Sequence, residues 1–248
     1  MIGRPSWYVA TVMAIAEETA NANRITLEVP GWPGNDAGQH LDVRLTAPDG
    51  YQASRSYSIA SAGPSTKVEL AVDKIPTGEV SPFLVDILMR RDQLEVRGPL
   101  GGWFIWQPPT NTTDARRPVQ LIAGGSGIVP FISMIRSHQA AADSTVFRLL
   151  YSVRAPDDVF YKHELEQAQQ GRAPLHVHFI YSRRTPPGWA VPHGRLTRDV
   201  LASAAIPPGQ HPRLFVCGST GFTEQTLSWL SELGYDTTDT RAERFGGS

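Results

Sequence analysis

The sequence predicts two domains of different class, a six-stranded antiparallel β-barrel followed by a parallel α/β domain. Three observations predict it. Residues 7–106 break into short β-branched or alternating runs, separated by turn signals at fairly even spacing. Beyond residue 118, apolar strands alternate with helical stretches, the pattern of βαβ units. Between the two, residues 107–118 (QPPTNTTDARRP) are polar, proline-bounded and without apolar periodicity, as a linker would be. The domains are accordingly placed at 1–108 and 118–248.

In the first domain the strands are WYVATVMAIA, RITLEVP, HLDVRLTAP, SYSIAS, KVELAVDKI and DQLEVRGP. Pro33-Gly34, Asp49-Gly50, Gly63-Pro64 and Thr77-Gly78 supply turns between them. One short helix is expected over 80–88, VSPFLVDIL. In the second domain VQLIAGG, FRLLYSVR, LHVHFIYSR and RLFVCG read as strands. The segments from Pro130 (PFISMIRSHQAA), DDVFYKHELEQAQQ, LTRDVLASA and TGFTEQTLSWLSELG read as helices, the last ending at Gly234.

Composition excludes several classes. An apolar content of 41% with 19% charged residues is that of a folded chain. A net charge of −1 gives no global field to gather nucleic acid or an anionic membrane. One cysteine excludes an internal disulfide, and it excludes an iron–sulfur cluster held by four thiolates of this chain. No apolar run reaches the length of a membrane span. Pro5, Trp7 and Glu17 interrupt the start where a signal peptide would need a basic and then unbroken apolar stretch. A soluble, cytoplasmic protein is expected.

Five motifs carry chemistry. Arg55-Ser56-Tyr57-Ser58 puts a cation, an aromatic face and hydroxyls on one strand, with Arg55 and Tyr57 on the same side. That set suits a ligand with a flat ring and phosphates, or it is a half-exposed strand with a cation beside an aromatic. Gly78-Glu79-Val80-Ser81 opens the short helix, where backbone N–H groups can meet an anion or Ser81 can simply cap. GGSGIVP, at 124–130, joins a buried strand to a helix, the setting of a dinucleotide turn. Gly125 and Gly127 would let backbone approach a pyrophosphate, and Pro130 stands where an ordinary Rossmann fingerprint has Gly or Ala. Cys217-Gly218 ends a strand at the carboxyl edge of the sheet, where ligands of such sheets sit, although a lone cysteine is more often a small core residue. Phe245 closes RAERFGGS, either as a frayed tail or as a docked aromatic. Arg154, Ser182, Arg183 and Arg195 follow strands on that same edge, and arginine forks are the natural partners of a 2′-phosphate.

In this order the motifs resemble the ferredoxin–NADP reductase superfamily over nearly the whole chain. The resemblance implies a barrel that holds FAD and an α/β domain that binds NADPH, with NADH as the alternative. It implies flavin contacts from Arg55, Ser56, Tyr57, Ser58, Val72, Lys74, Gly78, Val80, Ser81 and Phe245. The dinucleotide would be met by Gly125, Ser126, Gly127, Pro130, Arg154, Ser182, Arg183, Arg195, Cys217 and Gly218. Ser58 beside flavin N5, Cys217 beside the nicotinamide and Glu243 lining the site are the implied catalytic residues. Thr197 stands where the family frequently carries an aromatic near the adenine. The electron acceptor would be a separate iron–sulfur ferredoxin or oxygenase component. Three alternatives stand beside this: a diffusible acceptor such as free flavin or a quinone, an FMN site like that of dioxygenase reductases, and a non-enzymatic scaffold that merely binds nucleotide, which would need the flavin positions Arg55, Tyr57 and Ser58 emptied.

Overall fold

The computed structural model describes residues 6–109, 117–142, 144–171 and 175–246. Most of the expected linker, 110–116, and the terminal Gly247 and Ser248 lie outside the described residues. Contacts divide the chain into two units: 1–107 with 132–137, and 108–131 with 138–248.

The first unit contains β1 (Ser6–Thr19), β2 (Ala22–Glu28), β3 (His40–Thr46), β4 (Gln52–Ser58), β5 (Lys67–Asp73) and β6 (Gln93–Leu100). They pair antiparallel, as the sequence predicts, in the order β4-β3-β6-β1-β2-β5 that only the fold reveals. Period-two patterning fixes the register. Ala10 and Val12, Ile25 and Leu27, Leu41 and Val43, Val68, Leu70 and Val72, and Leu94 and Val96 all turn into one core. The two edge strands meet next to the end of β4. Among the described residues a single β-bridge, Ile59 with Leu70, joins them, and the Ala60 N–H donates to Glu69 O at 2.8 Å. Arg136, which clusters with this unit, braces the seam by donating to Ala60 O (3.0 Å) and to the Glu69 carboxylate (2.9 Å). The expected short helix is a π-helical turn, Phe83–Ile87, whose Leu84 plugs the barrel.

The second unit is a five-stranded parallel sheet of β7 (Val119–Gly124), β8 (Phe147–Val153), β9 (Leu175–Tyr181), β10 (Arg213–Ser219) and β11 (Arg241–Phe245). The order is β11-β10-β7-β8-β9. Helices α1 (Val129–Ala140), α2 (Lys162–Gln169), α3 (Arg198–Ala204) and α4 (Thr220–Glu232) connect them. Three details depart from the sequence reading. RAERF is a fifth strand rather than a tail, because its backbone groups find partners along the edge of β10 from Phe215 to Ser219. The glycine turn is itself coiled as a 3₁₀ turn, Gly125–Ile128, and runs directly into α1. The helix expected from DDVF onward begins only at Lys162, since Tyr161 is left-handed (φ 54°). Val159, Phe160 and Tyr161 are instead buried, with the Phe160 N–H donating to the Tyr151 hydroxyl. Among the described residues no helix is long and apolar enough to cross a membrane.

Candidate functional site

In the barrel unit, β4 pairs with β3 so that Tyr57 lies opposite Leu41 and Arg55 opposite Val43. Cross-strand partners share a face, so Arg55 and Tyr57 both belong to the core-side face, with Tyr57 packed against the barrel core. Burial pushes the Tyr57 phenol well above its usual range, and the Arg55 charge partly opposes that shift. The phenol therefore stays neutral and serves as an aromatic surface. Ser56 lies on the other face and gives its hydroxyl to Asp42 at 2.6 Å, whose carboxylate also binds Arg97. A ligand beside Arg55 and Tyr57 would meet Ser56 only through its backbone.

Ser58 ends the strand buried, and its Oγ has no hydrogen-bond partner among the described residues. Leaving a buried hydroxyl unsatisfied costs about 1–3 kcal/mol, so this atom marks a place where a polar ligand edge fits. Arg55 bonds Ser54 O (2.7 Å) and pairs with Glu79 (3.2 Å), and Glu79 also accepts from the Tyr51 hydroxyl at 2.7 Å. The pair is solvent-exposed, and such pairs contribute about 1 kcal/mol or less. A phosphate can therefore take Arg55 over at small cost. Lys74 is paired with Asp86 at 3.0 Å.

The 75–81 turn is closed by two bonds: Gly78 N–H to Ile75 O at 2.8 Å, and Ile75 N–H to Ser81 Oγ at 3.0 Å. Ser81 thus accepts a bond from outside the helix and caps nothing within it, while its hydroxyl proton remains to be donated. A Cβ on Gly78 would stand 3.2 Å from that oxygen, so glycine keeps the hydroxyl approachable. Val72 and Val80 spend their side chains wholly on the core and can offer a ligand only backbone groups. The donor set, with a buried orphan hydroxyl, an aromatic face and an exchangeable cation, fits a flavin dinucleotide.

In the α/β unit the two glycines of the dinucleotide turn have different jobs. Gly125 is exposed, left-handed (φ +54°) and open on the side where a Cβ would point. Gly127 is buried, and a Cβ there would stand 2.2 Å from Cys217 O. Its missing side chain admits the end of β10. Ser126 lies between them, partly exposed, and Pro130 is buried in the first turn of α1. A Cβ on Gly124 or Gly218 would strike the Phe222 ring, at 2.8 and 2.7 Å. Phe222 therefore locks the ends of β7 and β10 together.

Cys217 is fully buried, opposite Ala123 on β7 and Glu243 on β11. Burial, with the nearby Glu243 charge, pushes its thiol well above the usual range. It is held neutral and is no nucleophile. Phe245 ends β11 opposite Ser219, partly buried, and the Gly246 carbonyl accepts from the Thr220 hydroxyl at 3.2 Å.

Beyond β8 and β9 the chain is stitched by Ser182 N–H to Val153 O and Arg183 N–H to Arg154 O, both 2.8 Å. Arg184 is paired with Asp157. Arg154, Arg183 and Arg195 are exposed, and their guanidinium groups make no ion pair or hydrogen bond among the described residues. Thr197 caps α3 by accepting from Val200 N–H at 3.3 Å. Sequence reasoning missed Tyr51, Glu79 and Phe222. Glu79 stands inside one of the five motifs and Phe222 in a predicted helix, but only the fold shows what they touch.

Comparison with known proteins matches residues 10–105 to the oxidoreductase FAD-binding domain and residues 121–227 to the oxidoreductase NAD-binding domain. NADH-cytochrome b5 reductase 1 of Pyricularia oryzae is 28% identical over 210 residues, covering 82% of this chain and 65% of its own length. The glycine betaine monooxygenase reductase subunit of Chromohalobacter salexigens is 27% identical over 215 residues, covering 85% of this chain and 56% of its own. The chain thus spans between about half and two thirds of these relatives. The FAD/NAD-binding domain of nitric oxide dioxygenase from Vibrio cholerae superposes with a TM-score of 0.83 at 20% identity, covering 97% of this chain and 99% of its own. A ferredoxin NADP+ reductase from Neisseria gonorrhoeae superposes at 0.77 and 17% identity, covering 96% and 98%.

Proposed function

From a chain that belongs to the ferredoxin–NADP reductase superfamily of FAD- and NAD-binding oxidoreductases, we propose a reductase that takes hydride from NADPH onto FAD and delivers electrons to a separate protein. The barrel, assigned to 1–108, would hold the flavin, and the segment 118–248 the dinucleotide. The observation that carries this reading is the Ser58 hydroxyl, buried and unpartnered next to Tyr57. FAD, when bound, supplies the conversion of an electron pair into single electrons. The protein's own part is orientation. Ser58 would donate to the ring edge near N5, Tyr57 would support the ring, and Arg55 and Ser81 would hold phosphate.

In the second unit Gly125 and Ser126 would meet the dinucleotide pyrophosphate. Gly218, backed by the Cys217 carbonyl against Gly127, would set the floor beside the nicotinamide, and Glu243 would line it. Such a site works by proximity rather than by acid–base chemistry. Preference for NADPH is supported by the three unpaired arginines. The single cysteine cannot build a four-thiolate cluster within these 248 residues, so such a centre would lie outside them. An iron–sulfur ferredoxin or an oxygenase component in the cytoplasm suits that role, and one relative is named as a monooxygenase reductase subunit.

The test is the purified protein. It should be yellow, release FAD on acid treatment, and reduce a co-purified ferredoxin faster than free flavin or a quinone. Colourless protein that takes up no FAD would end the reading. Release of FMN alone, or equal rates with diffusible acceptors, would select one of the other two reductases.

A further inference from the structure

Ser58 stands at the end of a strand that is fully paired on one side only. β3 borders it there, with His40 opposite Ser58. On the other side, among the described residues, the ladder to β5 shrinks to the Ile59–Leu70 bridge. A side chain at such a strand end keeps its place only as well as the residues that follow keep theirs. Those residues, Ile59 and Ala60, are wholly buried, and a small set of bonds fixes them.

Two side chains of α1 anchor that set. Ser133 and Arg136 are three residues apart, so they share one face of the helix, and both belong to the barrel unit. Arg136 donates through one terminal nitrogen to Ala60 O at 3.0 Å and to the Glu69 carboxylate at 2.9 Å. The Glu69 backbone holds the same stretch: its carbonyl accepts from Ala60 N–H at 2.8 Å, and its N–H donates to Ser61 Oγ at 3.0 Å. Ser133, fully buried, accepts from Gly38 N–H at 2.9 Å. The next carbonyl, that of Gln39, accepts from Ile59 N–H at 3.0 Å. Gly38 is packed too tightly for any side chain, since a Cβ there would strike Phe104 O and the Met134 side chain. One helix face thus holds Ala60 directly and Ile59 through the Gly38-Gln39 segment.

We infer that Ser133 and Arg136 are positioning residues for the reaction: they keep the Ser58 hydroxyl where the flavin ring edge would meet it, and so set the rate of hydride transfer. This rests on the flavin reading above, in which Ser58 donates near N5. Both residues lie outside the five motifs, in a stretch that patterning describes only as helix. The bland alternative is that they merely stabilise the barrel.

The experiment is a double-mutant cycle read by rapid-mixing reduction of the bound flavin at saturating NADPH. Ser58→Ala removes one neutral hydrogen bond and should slow reduction roughly 2- to 10-fold. Arg136→Ala should reproduce most of that slowing while FAD affinity and KM for NADPH stay nearly unchanged. Arg136→Lys should recover much of the rate, and Ser133→Ala should show a smaller loss of the same kind. In the Ser58→Ala background, Arg136→Ala should cost nothing more, because residues acting through one group are not additive. Should Arg136→Ala not fold, Glu69→Gln takes its place in the cycle. Additive losses, or a wild-type rate in the Arg136 and Glu69 variants, would overturn the inference. So would a fall in FAD affinity that keeps step with the rate, which would make the residues structural. Wild type that takes up no FAD would sink the flavin reading itself, and the inference with it.

Discussion

In the barrel unit the cations beside the candidate ligand residues are already committed, Arg55 to Glu79 and Lys74 to Asp86. In the α/β unit Arg154, Arg183 and Arg195 hold no partner among the described residues. A cation that must leave one carboxylate for a phosphate adds only the difference between the two to affinity. An unpaired cation adds its whole interaction, but in water and subject to screening by salt. On the function proposed, the barrel would hold its ligand mainly through buried groups, Ser58 and the Tyr57 face. The α/β unit would rely on surface charge and on backbone brought close by glycine. The first arrangement suits a molecule that stays, the second one that comes and goes.

The hardest blow to this comparison would come at Gly127, where the α/β unit depends on having no side chain at all. Gly127→Ala drives a methyl into the Cys217 carbonyl, and overpacking of this kind costs about 3 kcal/mol. At about 2–4 °C per kcal/mol for a chain of this size, thermal melts should show a fall of roughly 6–12 °C. Gly125→Ala, with open space around it, should lose far less. Equal melting of the two variants would show that the turn is not packed on β10.

The next largest effect concerns the free arginines. Neutralising Arg154, Arg183 and Arg195 together should lower kcat/KM for NADPH by about 100-fold while leaving NADH nearly unchanged, and raising salt should mimic part of that loss. If NADH is preferred from the start, or both cofactors fall equally, the 2′-phosphate assignment is wrong.

Arg55→Ala sharpens the barrel side. Because Glu79 competes for the same guanidinium, flavin retention should weaken by only about 10-fold, the lower end for a charge-assisted bond. Salt should matter little, and the NADPH-to-NADH ratio should not move. Equilibrium dialysis against FAD reads the first two, and an unchanged affinity would reduce Arg55 to a surface cation.

The smallest expected effect is at Cys217. Its thiol is raised above the ordinary value, so the reactive thiolate is lost as pH falls below that raised value and stays scarce through pH 7–9. Iodoacetamide should therefore label the native protein negligibly across that range and label it fully once it is unfolded. Rapid labelling at pH 8 would mean that β10 is not buried as described.

Both sheets were legible in the sequence because each strand is patterned for burial on one face or two. The alternation of β2 and β5 and the unbroken apolar run of β7 leave no other placement. RAERF was not legible, since its five residues carry two arginines and a glutamate and acquire strand structure only by hydrogen bonding to β10. Arg55, Tyr57 and Ser58 were named from residue type, yet nothing in RSYS says that Ser58 would be the unpartnered one. The division of labour between Gly125 and Gly127 depends on a carbonyl ninety residues away.

The seam of the barrel has a consequence for how the protein breathes. With one β-bridge and the Arg136 brace joining β4 to β5, every second amide along those two edges has no ladder partner across the gap. Deuterium should enter there before it reaches β1, β2 or β6, which are paired on both sides. The bridge stands one residue past Ser58, so a molecule bonded to that hydroxyl would extend the closure along the open edge. Slower exchange along the open edge of β4 on adding FAD would then report ligand occupancy and barrel closure as a single event.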